Sequence, residues 1–573
     1  MTLTRPAAPE TTTDAAPACD AAATAADGTA VALLNCLVRE VCGPERQLFP
    51  EDRRLVMRLP RVGVLLRAGL ARPPHGPTFR LVPPFEEHRD GTWIAAGWAR
   101  LASLIAGELE LSTGRANPEF VPQVEDGHRA LAAVLAARAR TEAGDDAFVE
   151  SEQSLVFGHR FHPSPKARQG TPAEWLPYAP EARARFRPRW LAVPEPLLAE
   201  EGDPAAFAAL EPFAAPPGHR LLPAHPWQLD LLRDDPLLRR AFADGLVRDL
   251  GPGPSDAHPT SSVRTVYLPD ADAFLKFGLD VRITNCVRKN AWYELSGAVA
   301  LDRMLRPVFA ALGATLLAEP AYRTVALAGR RVYEGLGVIV RQGVRGLPGR
   351  PLLAAALTAP ALTAPGLTAP GLTSPGLAGA SAAPVAPVAL AGLAAVRSEP
   401  LAWWDAYLSQ VVPPVLRAFL EYGVVLEPHL QNVLVCVDDD GMPVRAAFRD
   451  LEGTKLVAGR WDLGHLPARV REAVTYDEHR GWDRVVYCLV VNHLAEVAAA
   501  LADLRSDRDS GFEARLWRAA RPYFAGGDPR LRALLAGVPV PAKANLRTRW
   551  SRSADRAAGY VPVANPLRVE SRE

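Results

Sequence analysis

Fixed positive charge beside hydroxyls and a turn suits anion chemistry, and one stretch of this chain has that make-up. It is His258–Glu294, HPTSSVRTVYLPDADAFLKFGLDVRITNCVRKNAWYE. Val263–Leu268 and Phe274–Ile283 are β-branched and apolar runs around Pro269-Asp270-Ala271-Asp272, which reads as a β-hairpin. A turn centred near Asp270 sets Arg264 opposite Lys276 and Ser262 opposite Gly278. Lys276, Gly278, Asp280, Arg282 and Thr284 then share a face. Facing cations destabilise a ladder unless an anion lies between them. After Ile283 the apolar spacing becomes helical, Thr284-Asn285 reads as the helix start, and Arg288 falls in its first turn. Free N–H groups there also favour negative charge. Ser262, Arg264, Lys276, Thr284 and Arg288 thus form a candidate cradle for a polyanion, most simply nucleotide phosphates. Any one of these cations could equally sit on a solvated face; the set reads as an anion site.

Two other clusters carry chemistry. In EQSLVFGHRFHPSPKARQG, breakers at Gly158, Pro163, Pro165 and Gly170 leave His159, His162, Lys166 and Arg168 on a loop. They could bind a carboxylate or poise a proton acceptor, or be capped on the surface; the residues alone leave this open. A metal is disfavoured, since no acidic residue or cysteine lies at ligand spacing. Farther on, EPHLQNVLVCVDDDGMPVRAAFRDLEG gives strands Val433–Val437 and Val444–Phe448 around Asp438–Gly441. Asn432 enters the first strand and Asp450 leaves the second, so hard oxygen ligands suited to Mg²⁺ and phosphates come together. Glu427 and His429 lie just upstream. A polar hairpin end with a satisfied histidine is the plainer alternative.

The rest of the chain must position these groups. Its 573 residues exceed one ordinary core, and 48% hydrophobic content is that of a globular protein. A net charge of +1 gives no support to a nucleic-acid or polybasic membrane surface. Six cysteines without CxxC spacing indicate neither a zinc site nor a disulfide framework. Residues 1–28, biased to Ala, Thr and Pro, read as a disordered leader without a secretory core. No uncharged, strongly apolar window of membrane-spanning length is found; Val485–Leu504 comes nearest. A cytoplasmic location is expected. Residues 29–150 read as a mostly helical packing domain. His225-Pro226-Trp227-Gln228 ends an extended segment ahead of a helix, and Val332–Arg341 reads as a strand. Residues 346–397, with ALTAP-GLTAP-GLTSP repeats, read as a low-complexity insertion or linker. A final domain, 398–573, opens with a helix through Trp403 and Trp404.

HPTSSVRT and LKFGLDVRITNCVRKN resemble the IucA/IucC family of siderophore synthetases that act without a nonribosomal peptide synthetase. The resemblance spans roughly residues 150–550. It recurs in a GHxxHPxxKxRxG signature at Gly158, His159, His162, Pro163, Lys166, Arg168 and Gly170, in HPWQ, and in EPHLQN with RDLEG. A looser match places Lys543 and Arg549 in a KxLLxxR-like segment, where Asn545 departs from an apolar position.

The resemblance implies an α+β, hand-like fold: a helical thumb (29–150), mixed α/β fingers (151–345) and a kinase-like palm (398–573). It implies ATP and Mg²⁺, and adenylation of a carboxylate followed by displacement of AMP by an amine or hydroxyl. Ser262, Arg264, Thr265, Lys276, Thr284, Arg288, His429, Gln431, Asn432 and Asp450 would hold the nucleotide. Glu427, Asn432 and Asp450 would hold the metal. His159, His162, Lys166, Arg168, Thr284, Arg288 and Lys543 would seat the acid. Catalysis would rest on Arg264, Lys276, Arg288 and His429. EPHLQN with RDLEG resembles the branch that uses free citrate. The partners implied are citrate or a related polycarboxylate, an amine, polyamine, amino-acid or hydroxylamine-type nucleophile, and a second copy in a homodimer. A kinase-like phosphotransferase is the alternative, but Leu430 and Gln431 follow His429 where such enzymes place a catalytic Asp, and no Gly-rich loop precedes it. A nucleotide- or citrate-binding regulator is the non-enzymatic alternative.

Overall fold

Alanine-rich, helix-favouring sequence begins before residue 28, and a computed structural model shows helix Ala16–Leu37 starting inside the expected leader. The structure describes residues 16–283, 286–327, 329–360, 388–505, 511–554 and 557–568; the first part of that leader lies outside them. The helix runs on as a π-helical turn, Val38–Cys42. The expected helical domain is only partly helical. Residues 48–95 form a five-stranded antiparallel meander, and helices Trp98–Thr113 and Phe120–Arg138 follow. The meander strand Arg54–Leu59 buries Leu55, Met57 and Leu59, and Val56 between them as well, so its alternation is partial and gave no clear period-two signal. Leu546 and Trp550, from near the other end of the chain, complete this core.

The middle of the chain builds a six-stranded antiparallel sheet. Its order is His258–Pro259, Thr265–Leu268, Ala273–Phe277, Val338–Gln342, Ala321–Val325 and Leu198–Gly202. The hairpin exists, but its register is one residue from expectation: Thr265, not Arg264, pairs with Lys276. The loop holds four residues, closed by Asp272 at φ 46°, whose carboxylate accepts from Tyr267 Oη at 2.9 Å and Val344 N at 2.9 Å. A one-residue slip changes which side chains share a face. The second strand also breaks at Gly278, where a Cβ would stand 2.5 Å from the Glu334 carbonyl oxygen. Leu279–Ile283 therefore leaves the sheet and pairs with Cys286–Arg288. Arg288 is thus on a strand and not in a helix's first turn; the helix starts at Trp292 and runs to Leu312. Thr284 lies outside the described residues, and of Arg288 only the backbone is described. Val332 sits in a short helix, Arg330–Gly335, and the strand begins at Val338.

The C-terminal hairpin falls where the turn signal put it, with Val433 paired to Phe448. Its sheet, however, borrows from earlier in the chain. Thr315–Leu316 lies parallel to Pro443–Phe448, and Arg350–Leu353 pairs with Val433–Val437. Ala354–Leu357, inside the expected linker, are buried. The five-residue repeats fall in 361–387, outside the described residues. One continuous core joins Phe148, Tyr267 and Leu301 to Trp403, Tyr407 and Trp517, so no clean boundary separates middle from end. Among the described residues two helices, Ala21–Cys42 and Glu478–Asp503, are long and apolar enough to cross a membrane; the second is 94% buried, which accounts for its apolarity.

Candidate functional site

The serine loop ends in a γ-turn: Arg264 N donates to Ser262 O at 2.8 Å around Val263, held at φ 68°. A β-branched residue in that region is strained. The strain has an effect. With Thr265 opposite Lys276, a regular strand would turn Arg264 to the other face; the γ-turn brings it back. Arg264 Nη2 reaches Glu452 Oε2 at 2.7 Å, and Lys276 Nζ reaches the same oxygen at 2.8 Å. Lys276 also pairs with Asp450. The two cations therefore do flank an anion, and it is a carboxylate of the protein.

The pattern extends on both sides. Arg264 Nη1 donates to Asn290 Oδ1 at 2.6 Å, and Asn290 Nδ2 donates to Lys276 O at 3.1 Å and Gly337 O at 3.0 Å. Arg341 lies 3.2 Å from Asp450 Oδ1 and donates through Nε to the buried Glu319 at 2.8 Å. Cation and carboxylate thus alternate from Glu319 to Arg264. Burial alone would raise Glu452, but Arg264 and Lys276 outweigh it and hold the carboxyl at about 2. Burial likewise opposes the charge on Lys276, and Asp450 and Glu452 more than restore it, leaving the ammonium above its ordinary value. Asp450, at φ 76°, is held well below the carboxylate range by Lys276 and Arg341 against burial.

Asn432 donates through Nδ2 to the Glu427 carbonyl at 3.2 Å, which directs its amide oxygen elsewhere. The Glu427 carboxylate is taken by Arg484, with Nε to Oε1 at 2.7 Å. Gln431 gives its carbonyl to Arg449 at 3.0 and 2.8 Å. Burial lowers the pKa of His429. The loop holding these residues is pinned from behind: His493 Nδ1 lies 2.7 Å from Pro428 O, and its Nε2 lies 2.5 Å from Tyr407 Oη. Among the described residues no three His, Cys, Asp or Glu side chains gather as a metal site.

On the histidine loop, Lys166 and Arg168 both pair with the buried Glu181, Arg168 at 2.5 Å. Their charges are spent inside the protein. His159 accepts from Phe161 N through Nδ1 at 3.1 Å, and its Nε2 lies 3.1 Å from the Asn492 amide. Burial, then Arg39, His162 and Lys543, lowers it to about 3, so the ring is neutral. His162 Nδ1 accepts from Ser164 N at 3.1 Å. Lys543 lies on strand Val540–Lys543.

Ser262, Arg264, Lys276, Glu294, Asp450 and Glu452 share one cavity of about 2320 Å³ with His159, His162, His429, Asn432 and Lys543. Ligand pockets usually hold roughly 300–1,000 Å³, so this space admits more than one substrate. Of the expected residues, those whose side chains are described line this cavity. Sequence reasoning missed Glu152, Glu181, Glu319, Asn290 and Glu452. Buried carboxylates have no spacing signature, although Glu152, Asn290 and Glu452 lie within stretches already singled out. Glu152 is the most consequential. Its Oε1 takes Arg449 at 2.5 Å, and its Oε2 takes Ser261 N and Oγ at 3.1 Å each, tying the serine loop to the C-terminal hairpin. Removing one partner of a buried pair costs about 3–5 kcal/mol, so Glu152→Ala is expected to lower stability by about that amount, read from urea unfolding midpoints.

The interleaved cations and carboxylates thus line one central cavity. Residues 147–359 match the IucA/IucC family, and residues 401–558 match a second family described as ferric iron reductase FhuF-like transporter. The rhizobactin siderophore biosynthesis protein RhbC of Rhizobium meliloti is 29% identical over 464 residues, 74% of this chain and 76% of that protein. The L-2,3-diaminopropanoate–citrate ligase of Staphylococcus aureus is 29% identical over 376 residues, 62% and 63% of the two chains. The structure of ATP-bound aerobactin synthetase IucA from Klebsiella pneumoniae superposes with a TM-score of 0.79 at 23% identity, covering 95% of this chain and all of that one. The chain is thus similar to the IucA/IucC family over residues 147–359.

Proposed function

We propose that this protein is an ATP-dependent siderophore synthetase that activates a carboxylate of citrate, or a related polycarboxylate, as its adenylate and joins it to an amine or hydroxyl. One observation carries the reading: Arg264 and Lys276 of the middle hairpin meet Asp450 and Glu452 of the last one on the wall of a cavity that also holds His159 and Lys543. A polyanionic nucleotide and a polycarboxylate repel each other. Fixed cations can hold both and stabilise the charge that develops on the phosphoryl oxygens. In this reading Arg264, Lys276 and the Ser262 loop bind phosphates, with Thr265 beside them. His429, Gln431 and Asn432 border the nucleotide, and Thr284 and Arg288 bridge nucleotide and acid. Neutral His159 and cationic Lys543 seat the acid, while Lys166 and Arg168, neutralised by Glu181, shape the loop that carries His159. His162 buttresses the same loop.

The donor set fits Mg²⁺. Asp450 and the free amide oxygen of Asn432 supply hard oxygens, and Mg²⁺ is usually held by one or two protein ligands together with substrate phosphates. Bound there, the ion would neutralise phosphate charge. Glu427, held by Arg484, steadies the loop that presents Asn432. No covalent enzyme intermediate is needed; positioning and charge neutralisation supply the rate.

The relatives named above support citrate as the acid, and their partners include 2,3-diaminopropanoate. Incubating the protein with ATP, Mg²⁺, citrate and a panel of amines is expected to release AMP and pyrophosphate. ADP as the product would show a phosphotransferase, and no turnover with any pairing would show a binder.

A further inference from the structure

The histidine loop turns two neighbouring side chains toward different parts of the cavity. His159 has Lys543 and His429 near it, whereas Arg160 has Arg80, Glu496, Asp503 and Arg72. All of these residues line the same space. Arg72 and Arg80 are committed: Asp503 takes Arg72 Nε at 2.8 Å and Arg80 Nε at 2.7 Å, and Arg72 also donates to Ala499 O at 3.2 Å. Arg160 is not. Its side chain is 26% exposed, and no hydrogen bond joins it to a described residue. Among the described residues the one carboxylate within ion-pair reach is Glu496, whose Oε2 lies 3.6 Å from Arg160 Nε and 3.3 Å from Arg80 Nη1. Glu496 Oε1 is buried and has no partner. That carboxylate therefore offers a single oxygen to two arginines and cannot close the fork of Arg160.

Burial, then the like charge of Arg80, lowers the pKa of Arg160 to about 10. The group stays charged at neutral pH and gains from an added anion. A guanidinium presents five donors in a planar fork, which a carboxylate matches with two oxygens. The surroundings narrow the choice of anion. Glu496 and Asp503 repel a tricarboxylate or a triphosphate, but they suit a molecule that carries an ammonium beside its carboxylate. The acid, in the reading above, belongs with His159 and Lys543.

We propose that Arg160 binds the carboxylate of an amino-acid nucleophile, with Glu496 and Asp503 beside it to favour the ammonium, and so sets which amines the protein accepts. That the bound amino acid is a nucleophile rests on the ligase reading; a preference for amino acids over plain amines does not require turnover.

The test titrates the full chain calorimetrically with citrate and with pairs of amines that differ by one carboxylate: 2,3-diaminopropanoate with 1,2-diaminoethane, and lysine with 1,5-diaminopentane. The unmodified protein is expected to bind the amino acid of at least one pair more tightly by about tenfold or more, the worth of a hydrogen bond to a charged group. Arg160→Met should abolish that preference by weakening the amino acid and not the plain amine, and Arg160→Lys should keep part of it. Glu496 still faces Arg80 in either variant, so the melting temperature should hold; if Arg160→Met does not fold, Arg160→Gln makes the same comparison. No preference in either pair, a preference that survives loss of the guanidinium, or an equal loss for both members of a pair would overturn the subsite. Loss of citrate affinity alone would give Arg160 to the acid and overturn it too. If the unmodified chain shows an Arg160-dependent preference but releases no AMP with any acid and amine, the ligase reading fails and the subsite stands.

Discussion

Arg264→Ala is expected to slow adenylate formation by about 10²–10³-fold, the loss usual when one preorganised donor to developing charge is removed. The guanidinium is buried and held by Asn290, Lys289 O and Glu452, so no neighbouring side chain can swing in to replace it. Lysine should rescue it only in part, because a single ammonium nitrogen does not reproduce the planar fork by which Nη1 and Nη2 reach Asn290 and Glu452 separately. Exchange of labelled pyrophosphate into ATP, in the presence of citrate, measures the step directly. Glu452 would still be paired with Lys276, so the fold should survive. Near-normal exchange would remove the middle hairpin from the chemistry.

Asp450→Asn should produce effects of opposite sign with and without metal. In the protein as it stands Asp450 occupies Lys276 and Arg341. On the proposed reading Asp450 would turn to a bound Mg²⁺, and Lys276 and Arg341 would then be left for phosphate. The amide cannot neutralise them, so binding of a non-hydrolysable ATP analogue without Mg²⁺ should tighten about tenfold or more. Turnover with Mg²⁺ should fall by about 10²-fold, since a hard ligand and a charge are lost. Titrations with and without Mg²⁺ check both. Unchanged metal-free affinity would show that Asp450 does not guard Lys276.

Much of this was legible in the sequence where side-chain type alone decides. Turn residues placed the last hairpin, and the proline at the helix start placed the helix after His225, whose ring caps Trp227 N at 3.2 Å. The meeting of Lys276 with Asp450 followed from the chemistry that each stretch implied. Other features depended on tertiary contacts. The hairpin register turned on a carboxylate, Asp272, capping a strand end that lies 72 residues later. Arg288 could not be read as a strand residue, because its pairing depends on Gly278 letting the chain leave the sheet. Strand Leu198–Gly202 and the meander at 48–95 carry too little clean alternation to stand out in the sequence. The carboxylates that organise the cavity, Glu152, Glu181 and Glu319, mean nothing until their arginines are beside them.

The shared oxygen of Glu452 also bears on which visitors the cavity turns away. A lone phosphate or sulfate entering it must compete with a tethered carboxylate that is always present, and it offers nothing to the acid it displaces. Such ions should therefore inhibit only weakly. A ligand that arrives with its own counter-cation can satisfy both halves of the wall together, which makes the protein's internal pairing a filter against the commonest anions of the cell.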